Sequence, residues 1–265
     1  MVRKAIVAGQ FYPLDKTELK KTIGKCIQRK PNQAIRAAIV PHAGYFFSGK
    51  CAGHVYSILP NAETYVLLGV NHNSIGKDIA LSLEDFETPL GKIKNDIRLG
   101  QEILKILQIE ADNSAHNYEH SIEVQLPFLQ QTQKNFKIVP IILKNYNLET
   151  CKSLAKVIFD VSKKLKRKII CLASSDFTHT GPAYMLDVDI KIDKQAIDEI
   201  LKFNSKKFLS IVEKTSICGS GAIATTIEYI KLLEIKKAEL LCYYDSSEIM
   251  SGRSKVGYAA IAFFA

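Results

Sequence analysis

The sequence predicts an α/β fold with a central, mostly parallel but mixed sheet and helices on both faces, formed by a single domain over residues 1–265. Short β-type apolar runs alternate with helical stretches for most of the chain, which is the pattern of strand–helix–strand units. The last two predicted strands are joined by a polar loop that is too short for a helical crossover. They should therefore form an antiparallel hairpin at one edge of the sheet.

The predicted strands are short apolar runs that end at a proline, a glycine or a polar loop. In chain order they cover residues 36–41, 65–70, 78–83, 136–143, 168–174, 238–244 and 256–264. The segment 86–91, with adjacent threonine, proline and glycine, is predicted to form a turn.

Capping residues and apolar periodicity predict the helices. Asp15, with Glu18 three residues later, can cap the first helix, and Ser48 can cap the second. Pro127 should kink or shorten the helix in which it lies. The predicted helices are 15–28, 49–58, 96–107, 119–129, 148–165, 187–203, 205–213 and 222–233.

Composition and charge exclude several classes of protein. The net charge is +9, but the lysines are spread over predicted helix faces, so a nucleic-acid partner is not expected. No apolar run approaches the ~20 residues of a transmembrane helix, and the N-terminus lacks the pattern of a secretory signal. These features predict a cytoplasmic protein without a membrane partner. The six cysteines form no C-x-x-C pair, which excludes zinc-ribbon and thioredoxin motifs.

Three of the six histidines follow a predicted strand closely: His42, His72 and His179. Ligands bind beyond the carboxyl ends of strands in open α/β sheets, so these histidines indicate one convergent site. Imidazole is the commonest metal ligand, and two histidines with one anionic ligand are typical of non-haem Fe(II) sites. We expect His42 and His72 to bind a divalent or redox metal, iron first, with copper or zinc as alternatives.

Cys218 is the candidate for the third metal ligand. It lies at the expected start of a helix, where the helix dipole and free N–H groups favour a thiolate. A buried small residue beside a glycine turn is the alternative interpretation. Beside the metal, His179 is predicted to be an acid/base group and Asp176 to orient an imidazole. Asp176 could instead cap the turn that follows it.

The segment from His116 to His120 matches H-x-x-E-H, the inverted zinc-protease motif. That motif needs a regular helix through both histidines, and polar loop residues precede this one, so the match is interpreted as chance. His120 and Glu123, one helical turn apart, are instead predicted to flank the metal site. A metal-free hydrolase with Cys218 as nucleophile and His179 as base is a further alternative.

Six motifs, in order from near residue 3 to the C-terminus, resemble the Memo family. Its prokaryotic members are also called the B component of the AmmeMemoRadiSam system. The motifs are AGQFYP (8–13), PHAGY (41–45), GVNH (69–72), EHSIEVQLP (119–127), SSDFTH (174–179) and TSICG (215–219).

The resemblance implies a fold shared with class III extradiol dioxygenases, which use non-haem Fe(II). His42, His72 and Cys218 match the metal-binding positions of the family, and His179 matches the acid/base histidine of the dioxygenases. Tyr45, in the PHAGY motif, is expected beside the metal ligands. The dioxygenases have a carboxylate where this chain has a thiol. A soft thiolate favours Cu(I), zinc or thiolate-bound iron, so cleavage of a catechol ring is not expected.

The function predicted from the sequence is that of a Memo-family metal-binding protein, with redox or oxygen-dependent chemistry on a small polar molecule. Such an enzyme would be a non-haem metal-dependent oxidoreductase. A non-catalytic module that binds a small ligand or a peptide on the same scaffold is the alternative. The resemblance also implies radical SAM and AMMECR-type proteins of the same system as partners.

Overall fold

The structure, a computed structural model, describes residues 1–28 and 30–265. Its strands are β1 Val2–Arg3, β2 Ile35–Val40, β3 Thr64–Val70, β4 Ile79–Leu81, β5 Asp85–Thr88, β6 Gly91–Asn95, β7 Lys137–Leu143, β8 Ile169–Ser174, β9 His179–Thr180, β10 Lys237–Asp245 and β11 Lys255–Phe264. Its helices are α1 Lys16–Cys26, α2 Tyr45–Tyr56, α3 Ile97–Leu107, α4 Leu126–Thr132, α5 Leu148–Lys164, α6 Ile192–Leu201, α7 Ser205–Val212 and α8 Ser220–Leu232.

The sheet is mixed, with the strand order β1-β5-β6-β7-β3-β8-β2-β11-β10. The five neighbours from β6 to β2 run parallel. The strand β11 runs antiparallel to β2, and β10 pairs antiparallel with β11 at the edge. The α/β fold class, the mostly parallel sheet and the terminal edge hairpin that the sequence predicts are therefore confirmed.

Helices cover both faces of the sheet because successive side chains of a strand point to opposite sides. Ile39 and Val66 belong to one apolar core, which they share with α3, α5 and α8. Ala38 and Leu67, their neighbours in the chain, belong to the other core, with α1, α2 and α4. Burial on both sides explains why the central strands are apolar throughout. Within the described residues, no helix is long and apolar enough to cross a membrane.

Four local predictions are wrong. The helix α6 begins at Ile192, five residues after its predicted start. The segment 86–91 is not a simple turn but the centre of the β5–β6 hairpin, in which Thr88 pairs with Gly91. The helix α2 begins at Tyr45, four residues before the predicted start. Ser48 does not cap it, because this residue lies inside the first turn and its hydroxyl donates to the Ala43 carbonyl.

The predicted helix 119–129 is regular only from Leu126 onward. Pro127 therefore lies in the first turn of α4, where a helix needs no N–H donor, so the proline helps to define the start of the helix and does not kink it. The residues before α4 are in irregular structure and a short 3₁₀ turn, Glu123–Gln125. This irregular segment crosses the carboxyl ends of the central strands and takes part in the site described next.

Candidate metal centre

Most of the predicted site residues follow three adjacent strands of the sheet, β3, β8 and β2. His42 follows β2 by two residues, and His72 follows β3 by two residues. Cys218 follows none of these strands and lies just before α8. One ligand atom from each of the three side chains lies within 4.8 Å of the other two. The Cys218 Sγ and His42 Nε2 atoms are 3.3 Å apart. Side chains separated by up to 176 positions in the chain therefore meet at one point.

A glycine allows Cys218 to reach this point. A Cβ atom on Gly219 would lie 2.5 Å from both the Ser174 carbonyl oxygen and the Ser175 Cβ, so no larger residue fits there without a backbone shift. The Gly219 N–H donates to Ser175 Oγ at 3.0 Å and fixes the same approach. The backbone beside Cys218 is thus held directly against the end of β8.

The hydrogen bonds of Ser174 determine which nitrogen of His42 faces the cluster. The Ser174 hydroxyl donates its one proton to the Ser121 carbonyl at 2.6 Å. It accepts from Gln125 Nε2 at 2.8 Å, and the same amide nitrogen donates to the Pro41 carbonyl. The His42 Nδ1 atom, 3.0 Å from Ser174 Oγ, must therefore be the donor in that contact. The Nε2 lone pair of His42 then faces Cys218.

A buried carboxylate fixes the second histidine. The Glu119 Oε1 atom lies 2.9 Å from His72 Nδ1 and also accepts from the Ser121 N–H. Burial acts to raise the pKa of Glu119, but the hydrogen bonds from His72 and Ser121 lower it to about 2, so the group is ionised. An ionised partner on Nδ1 orients the ring and makes the other nitrogen a better metal ligand. His72 therefore also offers Nε2.

Burial sets the charge state of the other two side chains. It lowers the pKa of His42 far below the usual range, and the neighbouring His72 acts in the same direction, so His42 is the neutral imidazole that metals bind. Burial also raises the pKa of the Cys218 thiol, and Asp176 raises it further. This burial and the charge of Asp176 oppose the lowered pKa that the helix start was expected to produce. A cation beside Cys218 would favour the thiolate.

A cavity of about 650 Å³ opens above the ligand cluster. His42 and His72 line its floor, together with His120, His179 and Asp176. The His179 Nδ1 atom, 3.2 Å from the Ser216 carbonyl oxygen, is the donor in that contact, which leaves Nε2 as an acceptor. The upper walls and the rim are formed by residues that include Phe11, Phe47, Tyr184, Tyr258, Met250 and Arg253.

The chain matches one family along nearly its whole length. The family model described as "Memo-like protein" covers residues 3–262. The chain belongs to this family. Similar proteins include a "MEMO1 family protein" of Methanosarcina mazei, 38% identical over 98% of both chains, and one of Archaeoglobus fulgidus, 37% identical over 99% of both. A third, from Methanosarcina barkeri, is 39% identical over 98% of this chain and 99% of its own.

In this Memo-family protein Asp176 acts on the backbone. Its Oδ1 atom accepts the N–H groups of His42 at 2.7 Å and Ala43 at 3.2 Å. The sequence predicts that Asp176 orients an imidazole, and the contact that it makes is with the main chain that carries His42. Burial raises the pKa of Asp176, and the charge of His179 opposes that rise.

The three residues predicted to flank the metal ligands occupy different places. His120 lines the cavity and stacks on His72, with ring centroids 4.6 Å apart. Glu123 is fully buried and accepts hydrogen bonds from Arg3, the backbone of Ile6 and Val7, and Tyr12. Glu123 therefore anchors the N-terminal segment.

Tyr45 is buried on the first turn of α2. Its hydroxyl donates to the Val124 carbonyl at 2.6 Å, and its ring contacts Phe128. The first contact connects α2 to the 3₁₀ turn that precedes α4, and the second connects α2 to α4 itself.

The sequence analysis did not identify Glu119, Ser174 or Gln125 as residues that orient the histidines. A signal for Glu119 was present, because it is the glutamate of the H-x-x-E-H match. His116, the first histidine of that match, is buried elsewhere, with its Nε2 atom 3.0 Å from the Ala80 carbonyl oxygen. The match therefore contains the glutamate of a histidine–carboxylate pair. The histidine of that pair is His72, which follows a different strand.

Proposed function

We propose that this protein binds a transition metal ion through His42, His72 and Cys218, and that the metal serves redox or oxygen-dependent chemistry on a small polar molecule in the cavity. The observation that carries the proposal is the meeting of three ligand atoms within 4.8 Å. The Nδ1 positions of both histidines are already engaged, so each ring offers Nε2 to one point. Pre-oriented imidazoles of this kind are typical of metal sites.

The donor set suits several transition metals, of which iron and copper are redox-active. A cation beside Cys218 would offset the cost of ionising a buried thiol, and a thiolate with two imidazoles suits iron, copper or zinc. We expect iron first, as in other two-histidine sites with an anionic third ligand and open positions. When bound, such a metal supplies electron transfer or oxygen activation. We place this chemistry in the cytoplasm, with radical SAM and AMMECR-type proteins as proposed partners.

Around the metal position, the proposed roles follow from the contacts. His179 lines the cavity and donates its Nδ1–H to the Ser216 carbonyl, which suits a group that exchanges a proton with a bound molecule through the other ring nitrogen. Asp176 holds the His42 backbone, so it is a positioning residue. His120, stacked on His72, restricts the rotation of that ring.

The experiment is metal analysis by mass spectrometry on protein purified without oxygen. The wild type should retain close to one metal ion per chain, and the His42→Ala, His72→Ala double variant should retain almost none. His54→Ala is the matched control, because His54 is a partly buried histidine on α2 that does not line the cavity. Undiminished metal in a folded double variant would contradict the proposal.

A non-catalytic binding module is the second candidate, because the cavity with its aromatic walls would bind a ligand without any metal. It predicts ligand binding that is unchanged after a chelator has removed all metal. A metal-free hydrolase is disfavoured by the raised pKa of Cys218, and the imidazole 3.3 Å from its sulfur is His42, not His179. That hydrolase predicts rapid labelling of Cys218 by iodoacetamide at neutral pH, lost in His179→Ala.

A further inference from the structure

Two segments form the rim of the cavity: residues 181–184, which follow His179, and the loop between β10 and β11, residues 246–254. Gly181 joins them, since a Cβ atom there would lie 2.3 Å from the Arg253 carbonyl oxygen. Gly181 also has a φ of +99°, which few other residues adopt. The Ala183 N–H donates to Ser254 Oγ at 2.8 Å. The backbone of Arg253 is therefore held against the segment that carries His179.

Arg253 brings a positive charge to the lining of the cavity and is exposed to solvent. Within residues 1–28 and 30–265, it takes part in no ion pair, and Asp245, which precedes the loop, pairs with Lys255. Glu248 belongs to the same loop but does not line the cavity. The carboxylate that lines the cavity is Asp176, which is buried and accepts two backbone N–H groups. A guanidinium without an ion-pair partner therefore favours an anion in the cavity, and the net charge of +9 acts in the same direction.

The aromatic lining of the cavity favours a flat, apolar body. Phe11, Phe47, Tyr184 and Tyr258 line the cavity. Tyr184 lies edge-on to His179, with ring centroids 5.0 Å apart and planes at 81°. Aromatic walls bind planar groups well, through stacked and edge-to-face contacts.

We propose that the cavity binds a small planar carboxylate, with Arg253 as the counter-ion of the carboxylate group and the aromatic walls around the body of the molecule. A guanidinium group binds a carboxylate in a two-point contact. One arginine neutralises the single negative charge of a carboxylate, whereas one of the two negative charges of a phosphate dianion would remain unneutralised. The proposal names the substrate class of the metal site and so rests on the proposed function for the chemistry, but its binding part can be tested separately.

The test is a calorimetric titration of the metal-containing protein with benzoate, benzamide and phenyl phosphate. Benzoate should bind roughly tenfold more tightly than benzamide, the size of one charge-assisted contact. Arg253→Gln should abolish this preference, and Arg253→Lys should keep part of it. Arg98→Gln, an exposed arginine on α3 outside the cavity, is the matched control. Arg253 is exposed, so its variants should fold.

Three outcomes would overturn the inference: equal binding of benzoate and benzamide, a preference that survives Arg253→Gln, or tighter binding of phenyl phosphate than of benzoate. Metal content measured on the same samples separates the two proposals. Bound metal without an Arg253-dependent preference would overturn the inference alone. A preference that depends on Arg253, in wild type that binds no metal, would overturn the proposed function but keep the carboxylate site.

Discussion

The floor of the cavity, where His42 and His72 lie beside Cys218, and its rim are held in different ways. At the floor, hydrogen bonds at the strand ends fix both histidine rings; His42 is 1% exposed, and the side chain of His72 is 32% exposed. At the rim, backbone contacts hold the loop while its side chains face solvent, and Met250 is 59% exposed. The difference indicates that the floor determines the chemistry, whereas the rim can change its ligand preference at little cost in stability.

Two glutamates of one short segment also differ in role: one supports the candidate site and the other supports the fold. Glu119 and Glu123 are both buried and four residues apart. Glu119 contacts His72, a proposed metal ligand, whereas Glu123 contacts Arg3 and the N-terminal segment. Removing each carboxylate should therefore affect a different property of the protein.

The largest effect is expected for Glu123→Ala. The variant leaves the buried Arg3 guanidinium without its ionic partner, which should lower the free energy of unfolding by about 3–5 kcal/mol. Urea denaturation measures the loss, and the metal content per folded chain should not change. Glu87→Ala, which removes an exposed partner of Lys4, is the control and should be close to neutral. Loss of metal from folded Glu123→Ala would remove the contrast with Glu119.

His116 should produce the next largest effect, as a pH dependence of stability. Burial lowers its pKa from 6.5 to about 4. Below pH 6.5 the unfolded chain binds a proton that the folded chain does not, so protonation favours unfolding. The contribution of His116 to the free energy of unfolding should fall by about 3 kcal/mol between pH 6.5 and pH 4. His116→Gln should reduce the pH slope of urea midpoints in this window, and an unchanged slope would contradict the assignment.

For Glu119→Gln we expect a smaller effect, on metal affinity. Loss of the carboxylate on His72 Nδ1 should weaken metal binding by about 10- to 100-fold, as is usual for the partner of a ligand histidine. Competition with a chelator of known affinity measures the change. Glu110→Gln, at a carboxylate that is 94% exposed, is the control. Equal affinity in the wild type and Glu119→Gln would show that the Glu119–His72 contact has no role in the site.

The sequence predicts the floor better than the residues that support it. His42 and His72 each follow an apolar run that ends in a recognisable loop, and in the structure each of these runs is a strand. The contact between His72 and Glu119 spans 47 positions and involves an irregular segment without apolar periodicity. Such a contact has no local signal, because it arises only when the sheet places both loops at one edge.

The remaining differences have similar causes. The β5–β6 hairpin was predicted as a turn because its strands are short, and only Phe86 and Ile93 among its paired residues are large and apolar. Arg253 lies in a polar loop without periodicity, and its place at the cavity rim depends on the packing of Gly181. Charge at the rim therefore becomes visible only in three dimensions.

The smallest effect is expected at the rim itself. Met250→Ala removes an exposed side chain, so the free energy of unfolding should change by less than about 0.5 kcal/mol. Metal affinity should be unchanged, since Met250 lies in the rim loop and is not among the three ligands. Thermal denaturation and chelator competition measure both quantities. A large loss in either would show that the rim and the floor are coupled.

The central claim is that the Cys218 thiolate completes a two-histidine metal site. X-ray absorption at the edge of the bound metal tests it most directly, because sulfur differs clearly from nitrogen and oxygen as a neighbour. The wild type should show one sulfur neighbour together with nitrogen neighbours, and Cys218→Ser should lose the sulfur but keep the nitrogens. A wild-type metal surrounded only by nitrogen and oxygen would contradict the claim.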